Sequence, residues 1–339
     1  MLESIGAFAL SVIGVGVVLR YARRAGLIDI PNQRSSHSVP TPRGGGIAVV
    51  GSVLLVDVYD WARSGIPPKP VLFVLLGATL ALACIGWLDD RRSVRVGVRL
   101  SVHLICGFAV ALLVNDIAPM PGLLNILWLS WWMFWTVGSI NIVNFMDGVD
   151  GMVASQGVVY GLYLFLLLSA STAGGRYGFI LAAACVGFLV WNWSPAKVFM
   201  GDVGSGPLGL FFVIGGALAL GRCPISLLFL PLFPLFFDAL VTVLIRVRRR
   251  EKLTDAHRSH LYQRLANGGF GHARVTSLYA FAASLGAIIA ILFRSAPSAY
   301  IAASVLAYMV LVVIGWKRLD ERFTETPVSG RPREPGLER

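Results

Sequence analysis

The residues of this chain that could do chemistry are few and grouped. Asp89 and Asp90 stand side by side; Asn141, Asn144, Asp147 and Asp150 recur every three positions; Asp202 lies in the glycine-rich run MGDVGSG. Adjacent carboxylates repel, which raises one pKa unless a cation or base compensates. Arg91, Arg92, Arg95 and Arg99 follow the pair at once. The pair therefore reads either as acid–base or cation chemistry, or as a solvated helix end followed by arginines that set membrane topology. In the second group each step of three drifts about 60° on a straight α-helix, so all four side chains cannot share a face. Gly148 and Gly151 allow the chain to break there, and convergence on one cation becomes possible. Bare N–H groups around Gly201, Gly204 and Gly206 favour an anion such as phosphate, and Asp202 beside them could hold Mg²⁺ against it. A plain glycine turn before a helix is the simpler alternative. A fourth group, His257, Arg258, His260 and Arg264, suits a diphosphate better than zinc, because no third thiolate or histidine has a standard ligand spacing. His257 and His260, three apart, fit one helical turn.

These groups must be carried by membrane helices. Of 339 residues 56% are hydrophobic and 14% charged, too few charges to cover a soluble surface of ordinary composition. The four cysteines lie in or beside apolar runs without CxxC spacing, so neither a disulfide framework nor a zinc site is expected. Eleven apolar runs approach the roughly 20 residues that cross a bilayer, from 4–21 to 298–316. The eighth, at 206–220, is short and rich in glycine; the ninth, at 224–245, contains Pro231 and Pro234 and should bend. With the N-terminus outside, only Arg63, Lys69, Arg176, Arg222 and Arg294 of the 29 basic residues fall in outer loops, leaving 24 inside. The positive-inside rule then sets the N-terminus outside and the C-terminus in the cytoplasm. The net charge of +11 is thereby a topology signal rather than a nucleic-acid footprint. The expected fold is all-α, a polytopic membrane domain over 1–318, followed by a charged, disordered tail over 319–339.

On this map every chemical group falls in one of five inner loops: RSSHSVPTPRGGG (34–46), DDRRS (89–93), NIVNFMDGVDG (141–151), WNWSPAKVFMGDVGSG (191–206) and DAHRSHLYQRL (255–265). A transporter would set polar groups at mid-membrane on broken helices. Here only Asp238 lies well inside a span, and no inverted repeat is visible. An intramembrane carboxylate is a functional candidate, although a structural pairing explains Asp238 equally well.

Taken in order, the five loops resemble those of the polyprenyl-phosphate N-acetylhexosamine-1-phosphate transferases, over 34–265. The first and last loops are most similar to the branch that initiates O-antigen and other bacterial surface polysaccharides. The resemblance implies a bacterial inner-membrane enzyme, with its active site facing the cytoplasm. It would transfer N-acetylhexosamine-1-phosphate from a UDP-sugar to undecaprenyl phosphate and release UMP. It implies catalytic roles for Asp89, Asp90, Asp147 and Asp150. It further implies Mg²⁺, or Mn²⁺ in its place, on Asn144 and Asp202, and nucleotide or diphosphate contacts from Asn192, His257, Arg258 and His260. A homodimer would be ordinary for the family. Direct displacement and a covalent aspartyl-phosphate route are both open. The related phospho-N-acetylmuramoyl-pentapeptide transferase carries a lysine four residues after its first paired aspartate, where this chain has Ser93, with Arg91 or Arg92 as substitutes. It also has a dense histidine cluster where this chain has HRSH. Both departures argue against a pentapeptide substrate. The lipid tail is expected in a groove near the bent ninth span.

Overall fold

A computed structural model describes residues 2–31, 39–64, 70–252 and 258–324. The chain is an all-α, multi-pass membrane protein. Its helices are α1 (Leu2–Ala25), α2 (Gly46–Ser64), α3 (Pro70–Arg91), α4 (Val96–Ile117), α5 (Gly122–Met146), α6 (Met152–Leu168), α7 (Ala173–Asn192), α8 (Asp202–Leu218), α9 (Ile225–Leu228), α10 (Phe233–Arg248), α11 (Leu261–Leu265), α12 (His272–Phe293) and α13 (Ser298–Thr324). One antiparallel pair, β1 (Ile28–Asp29) and β2 (Thr41–Pro42), ties the end of α1 to the approach of α2.

Among the described residues eight helices are long and apolar enough to cross a membrane, while α6 and α8 have 17 residues each. Helix α2, with 19 residues, carries Asp57, Asp60 and Arg63 near its end. The expected eleven spans thus correspond to eight full-length helices and three shorter or more polar ones. The eighth has a physical reason to be short. Every residue from Val203 to Ala217 is buried, so α8 is enclosed by other helices and its all-round apolarity faces protein. The ninth span breaks where its prolines stand: α9, a 3₁₀ turn at Leu230–Leu232 holding Pro231, then α10 with Pro234 in its first turn.

The disordered tail needs correction at its start. Helix α13 runs on through Thr324, six residues past the expected boundary, because its last turns pack. Arg264 pairs with Asp320, and Phe323 lies edge-on to Phe270 at 5.3 Å. Residues 325–339 lie outside the described residues.

At the other end of the bundle Arg176 of α7 pairs with Asp60 of α2 at 2.9 Å. The remaining polar architecture gathers where α3, α5 and α7 end and α8 begins. Helix α8 approaches α3 so closely that a Cβ on Gly86 would stand 2.3 Å from the backbone oxygen of Asp202. Gly86→Ala should therefore push the start of α8 off α3 and cost about 1–3 kcal/mol, the usual penalty for overpacking. A thermal melt in detergent, with the melting temperature unchanged, would refute that docking.

Candidate active site

Helix α3 ends on the aspartate pair, and the two carboxylates have different partners. Asp90, 7% exposed, turns inward. Its oxygens accept the N–H groups of Asp202 at 3.1 Å and Val203 at 3.2 Å, so it caps α8 from another helix. Gly201, at φ +74°, permits this contact, since a Cβ there would lie 2.6 Å from Asp90 Oδ2. Arg43 Nε stands 3.7 Å from Asp90 Oδ1 and its guanidinium also donates to the Asp90 carbonyl. Asp90, expected to be catalytic, holds the start of α8 through these contacts.

Asp89 faces the other way. Its Oδ1 accepts the Val94 N–H at 2.7 Å and its Oδ2 pairs with Arg99. Arg99 Nη1 also reaches Asp202 Oδ2 at 3.3 Å. One guanidinium of α4 therefore bridges the carboxylates of two loops. Beside it Asn144 Nδ2 donates to Ser205 Oγ at 3.0 Å, which leaves the amide oxygen as the group available to a cation. Asn144, Asp202, Arg99, Asn141 and His103 line a cavity of about 20 Å³, room for one water-sized or ion-sized occupant. His103 is set by Asn141. The Asn141 amide nitrogen donates to Val137 O at 2.7 Å and lies 3.1 Å from His103 Nδ1. Nδ1 must then accept, and the ring carries its proton on Nε2.

Helix α5 stops at Met146, so Asn141 and Asn144 remain helical while Asp147 and Asp150 lie in the turn, which closes with Gly151 at φ +73°. The chain breaks as the glycines allow. Among the described residues the Asp147 carboxylate receives no hydrogen bond. Burial, then the charges of Asp202, Asp90 and Asp150, push its pKa well above the ordinary carboxylate range. Asp150 has the opposite balance. Burial disfavours its charge, but the hydrogen bond and charge of His272 and the Ala196 N–H hold its pKa below that range. His272 Nδ1 is 3.1 Å from Asp150 Oδ1 and Ala196 N is 3.1 Å from Oδ2. Asp150 is a clasp between the turn, the 194–200 loop and α12. Asn192 is a second clasp: its Oδ1 accepts from Gly151 N at 2.9 Å and its Nδ2 donates to Val198 O at 2.8 Å.

The first loop joins through its backbone. Gly45 N and Gly46 N donate to Phe199 O and Met200 O, each at 2.9 Å, and Phe199 N donates to Pro42 O at 2.8 Å. Residues 32–38 lie outside the described residues.

The last loop arrives from the opposite side. His257 lies outside the described residues. His260 is the residue before α11, with extended backbone angles (φ −62°, ψ 142°), so the single helical turn expected to present both histidines is not formed at His260. His260 is 2% exposed. Burial lowers its pKa, against the pull of Asp238, so near neutral pH it is a neutral imidazole. Arg258 is half-buried beside it. The Tyr262 hydroxyl donates to Phe145 O at 2.8 Å, which seats this loop on the α5–α6 turn.

Arg91, weighed as a substitute for the family's lysine, is engaged elsewhere. Its guanidinium lies 4.4 Å from the Trp87 ring and donates to the Tyr21 hydroxyl, joining α1 to α3. The cation facing Asp89 and Asp202 is Arg99, one of the four arginines that follow the aspartate pair. The legible signal was the spacing of Arg99 and His103, four apart on an otherwise apolar helix.

Whether these residues suit Mg²⁺ can be tested on their donor set. Among the described residues no three His, Cys, Asp or Glu side chains come close enough to hold an ion by themselves. Mg²⁺ does not require such a cage, since it is usually held by one or two carboxylates plus waters and substrate phosphates. A carboxylate oxygen of Asp202, the amide oxygen of Asn144 and a cavity of ion size between them fit it.

The chain is similar in sequence to known proteins. The sequence pattern of glycosyl transferase family 4 matches residues 72–220. A protein of Bacillus subtilis (strain 168), named a probable undecaprenyl-phosphate N-acetylglucosaminyl 1-phosphate transferase, is 28% identical over 355 residues, 95% of either chain. The decaprenyl-phosphate N-acetylglucosaminephosphotransferase of Mycobacterium tuberculosis (strain CDC 1551 / Oshkosh) is 28% identical over 95% of this chain and 90% of its own. A phospho-N-acetylmuramoyl-pentapeptide-transferase of Streptomyces avermitilis is 29% identical over 63% of this chain and 73% of its own. The matched segment begins in α3 and ends just beyond α8, and so contains Asp89, Asn144, Asp147 and Asp202 together with the helices that carry them; over this segment the chain is similar to glycosyl transferase family 4.

Proposed function

We propose that this protein transfers an N-acetylhexosamine-1-phosphate from a UDP-sugar to undecaprenyl phosphate, releasing UMP, as the first membrane step of a bacterial surface polysaccharide such as O-antigen. The observation that carries the reading is the meeting of Asp202, Asn144 and Arg99, from α8, α5 and α4, around one ion-sized cavity, with Asp89 of α3 paired to the same Arg99. A second observation supports the lipid substrate. Between α5 and α10 runs an apolar groove of about 250 Å³, lined by Trp131, Trp135, Gly138, Ile142 and Phe236. The groove borders α5, the helix that also carries Asn144.

In the proposed reaction an oxygen of the lipid phosphate attacks the β-phosphorus of the UDP-sugar. The new phosphorus–oxygen bond forms as the bond to the bridging oxygen breaks, and UMP leaves with that oxygen and its electron pair. A phosphate monoester has a second pKa near 6, so at neutral pH the attacking oxygen is already largely deprotonated and no strong base is required. Asp89 and Arg99 position the lipid phosphate. Asn144 and Asp202 would hold Mg²⁺, or Mn²⁺, which when bound neutralises charge on the diphosphate. Arg258 and the neutral His260, with His257, clamp the diphosphate by hydrogen bonds. Asp90, Asp150 and Asn192 act at one remove, by fixing the loops. The active site faces the cytoplasm, with the N-terminus periplasmic and the C-terminus cytoplasmic.

The test is UMP release in detergent with undecaprenyl phosphate and a panel of UDP-amino sugars, UDP-N-acetylmuramoyl-pentapeptide included. Turnover should appear with a simple N-acetylhexosamine, require Mg²⁺ or Mn²⁺ and stop with EDTA. Turnover with the pentapeptide substrate alone would replace the proposed donor, and undiminished turnover in EDTA would remove the metal.

A further inference from the structure

The one ionisable group deep in the apolar part of α10 is not idle. Asp238 is 0% exposed, and its carboxylate collects five donors. Oδ1 accepts the Leu261 N–H at 2.9 Å, the Trp316 indole N–H at 3.3 Å and the Thr242 hydroxyl at 3.4 Å; Oδ2 accepts the Tyr262 N–H at 3.1 Å and the Tyr279 hydroxyl at 2.7 Å. None of these donors carries a formal charge. A buried carboxylate is costly unless its lone pairs are filled, and here they are filled from α10, α11, α12 and α13 at once.

Two of the donors matter for the site. A helix start leaves its first N–H groups without partners, and α11 has only five residues; His260, the residue before it, supplies no side-chain cap. Asp238 takes the first two N–H groups of α11 instead. His260 is bonded covalently to Leu261, so the two hydrogen bonds that fix Leu261 and Tyr262 also fix His260. Tyr262 carries the same registration onward, because its hydroxyl bonds Phe145 O between Asn144 and Asp147. A Cβ on Gly148 would stand 2.4 Å from that hydroxyl, which leaves the contact little slack.

We propose that Asp238 is a positioning residue: by capping α11 from within the membrane-embedded part of α10, it holds His260 and the last loop against the carboxylate cluster. The inference rests on the reading of His260 as a substrate contact, but the capping can be measured without it.

The experiment is hydrogen exchange on the intact protein in detergent, unaltered and as Asp238→Asn, alongside UMP release. Asn has the same shape but turns an N–H toward donors and so loses at least one backbone bond. Exchange at the amides of Leu261 and Tyr262 should accelerate at least tenfold while α6 and α7 keep their protection. kcat should fall at least tenfold with KM for the UDP-sugar changed less than threefold. If Asp238→Asn does not fold, Tyr279→Phe, which removes one donor and leaves the carboxylate, should show the same pattern at smaller amplitude. Unchanged exchange at Leu261 and Tyr262 would overturn the capping, and faster exchange with unchanged kcat would overturn the positioning role. If the unaltered protein turns over no UDP-sugar, the functional reading fails while the exchange result still decides whether Asp238 caps α11.

Discussion

Asp202→Asn should lower UMP release by about three orders of magnitude and leave the melting temperature in detergent unchanged. The first expectation follows from charge. Arg99 already spans Asp89 and Asp202, and the reaction brings further anions, a lipid phosphate and a diphosphate, into the same small cavity. Asp202 is one of two side chains proposed to hold the cation that offsets them, and removing a single preorganised electrostatic contact costs about 10²–10³-fold in kcat. The loss should sit at the upper end, since an amide oxygen is a weaker ligand for Mg²⁺ than a carboxylate. The second expectation follows from the backbone. Asp202 contributes to the fold through its N–H, which Asp90 accepts, and Asn keeps that N–H. Its side chain is about one-third exposed, so little packing is lost. Turnover within tenfold of the unaltered protein would remove Asp202 from the metal site; a lower melting temperature would show that its carboxylate braces the fold.

Much of this arrangement is legible in the sequence because membrane helices separate polar from apolar residues so completely. The five loops, the break of the chain between Met146 and Gly151 and the break at Pro231 and Pro234 all follow from local rules. What was not legible has a common cause in contacts between elements. Asp89 and Asp90 are identical neighbours, yet one faces Arg99 and the other the start of α8. Nothing local separates them, because the difference is set by which helix packs on which side. Arg99 looked like one of several topology arginines, and its partners lie 10 and 103 positions away. Hydropathy could not distinguish α8, enclosed by protein, from a span facing lipid, since both are apolar all round. The last turns of α13 carry the charge that suggests a disordered tail. Trp316, Asp320 and Phe323 recur at helical spacing, and it is these three that meet Asp238, Arg264 and Phe270. The periodicity was present, but its partners belong to another loop.

The division of labour within the aspartate pair yields the second large effect, and it contrasts with the first. Asp90→Asn should lose activity and stability together. Asp90 is buried and accepts two backbone N–H groups from the first turn of α8 while Arg43 sits beside it. Asn presents one oxygen and one N–H to the same two donors, so one bond is lost and an N–H faces an N–H. The negative charge that Arg43 and the positive end of the α8 dipole favour is lost as well. Breaking one side of a buried charged set typically costs about 3–5 kcal/mol, and the lower figure applies because the Arg43 side chain is 34% exposed. The melting temperature should therefore fall measurably. Because α8 begins at Asp202, any shift of its first turn also moves the proposed metal-binding oxygen, and UMP release should fall at least a hundredfold in the fraction that remains folded. The two variants separate chemistry from scaffolding at residues joined by a hydrogen bond, from the Asp202 N–H to the Asp90 carboxylate. If Asp90→Asn melts like the unaltered protein and is inactive, Asp90 acts on the substrates directly and the capping role is wrong. If it melts lower yet turns over normally, the start of α8 tolerates displacement, and the link from cap to metal-binding oxygen is broken.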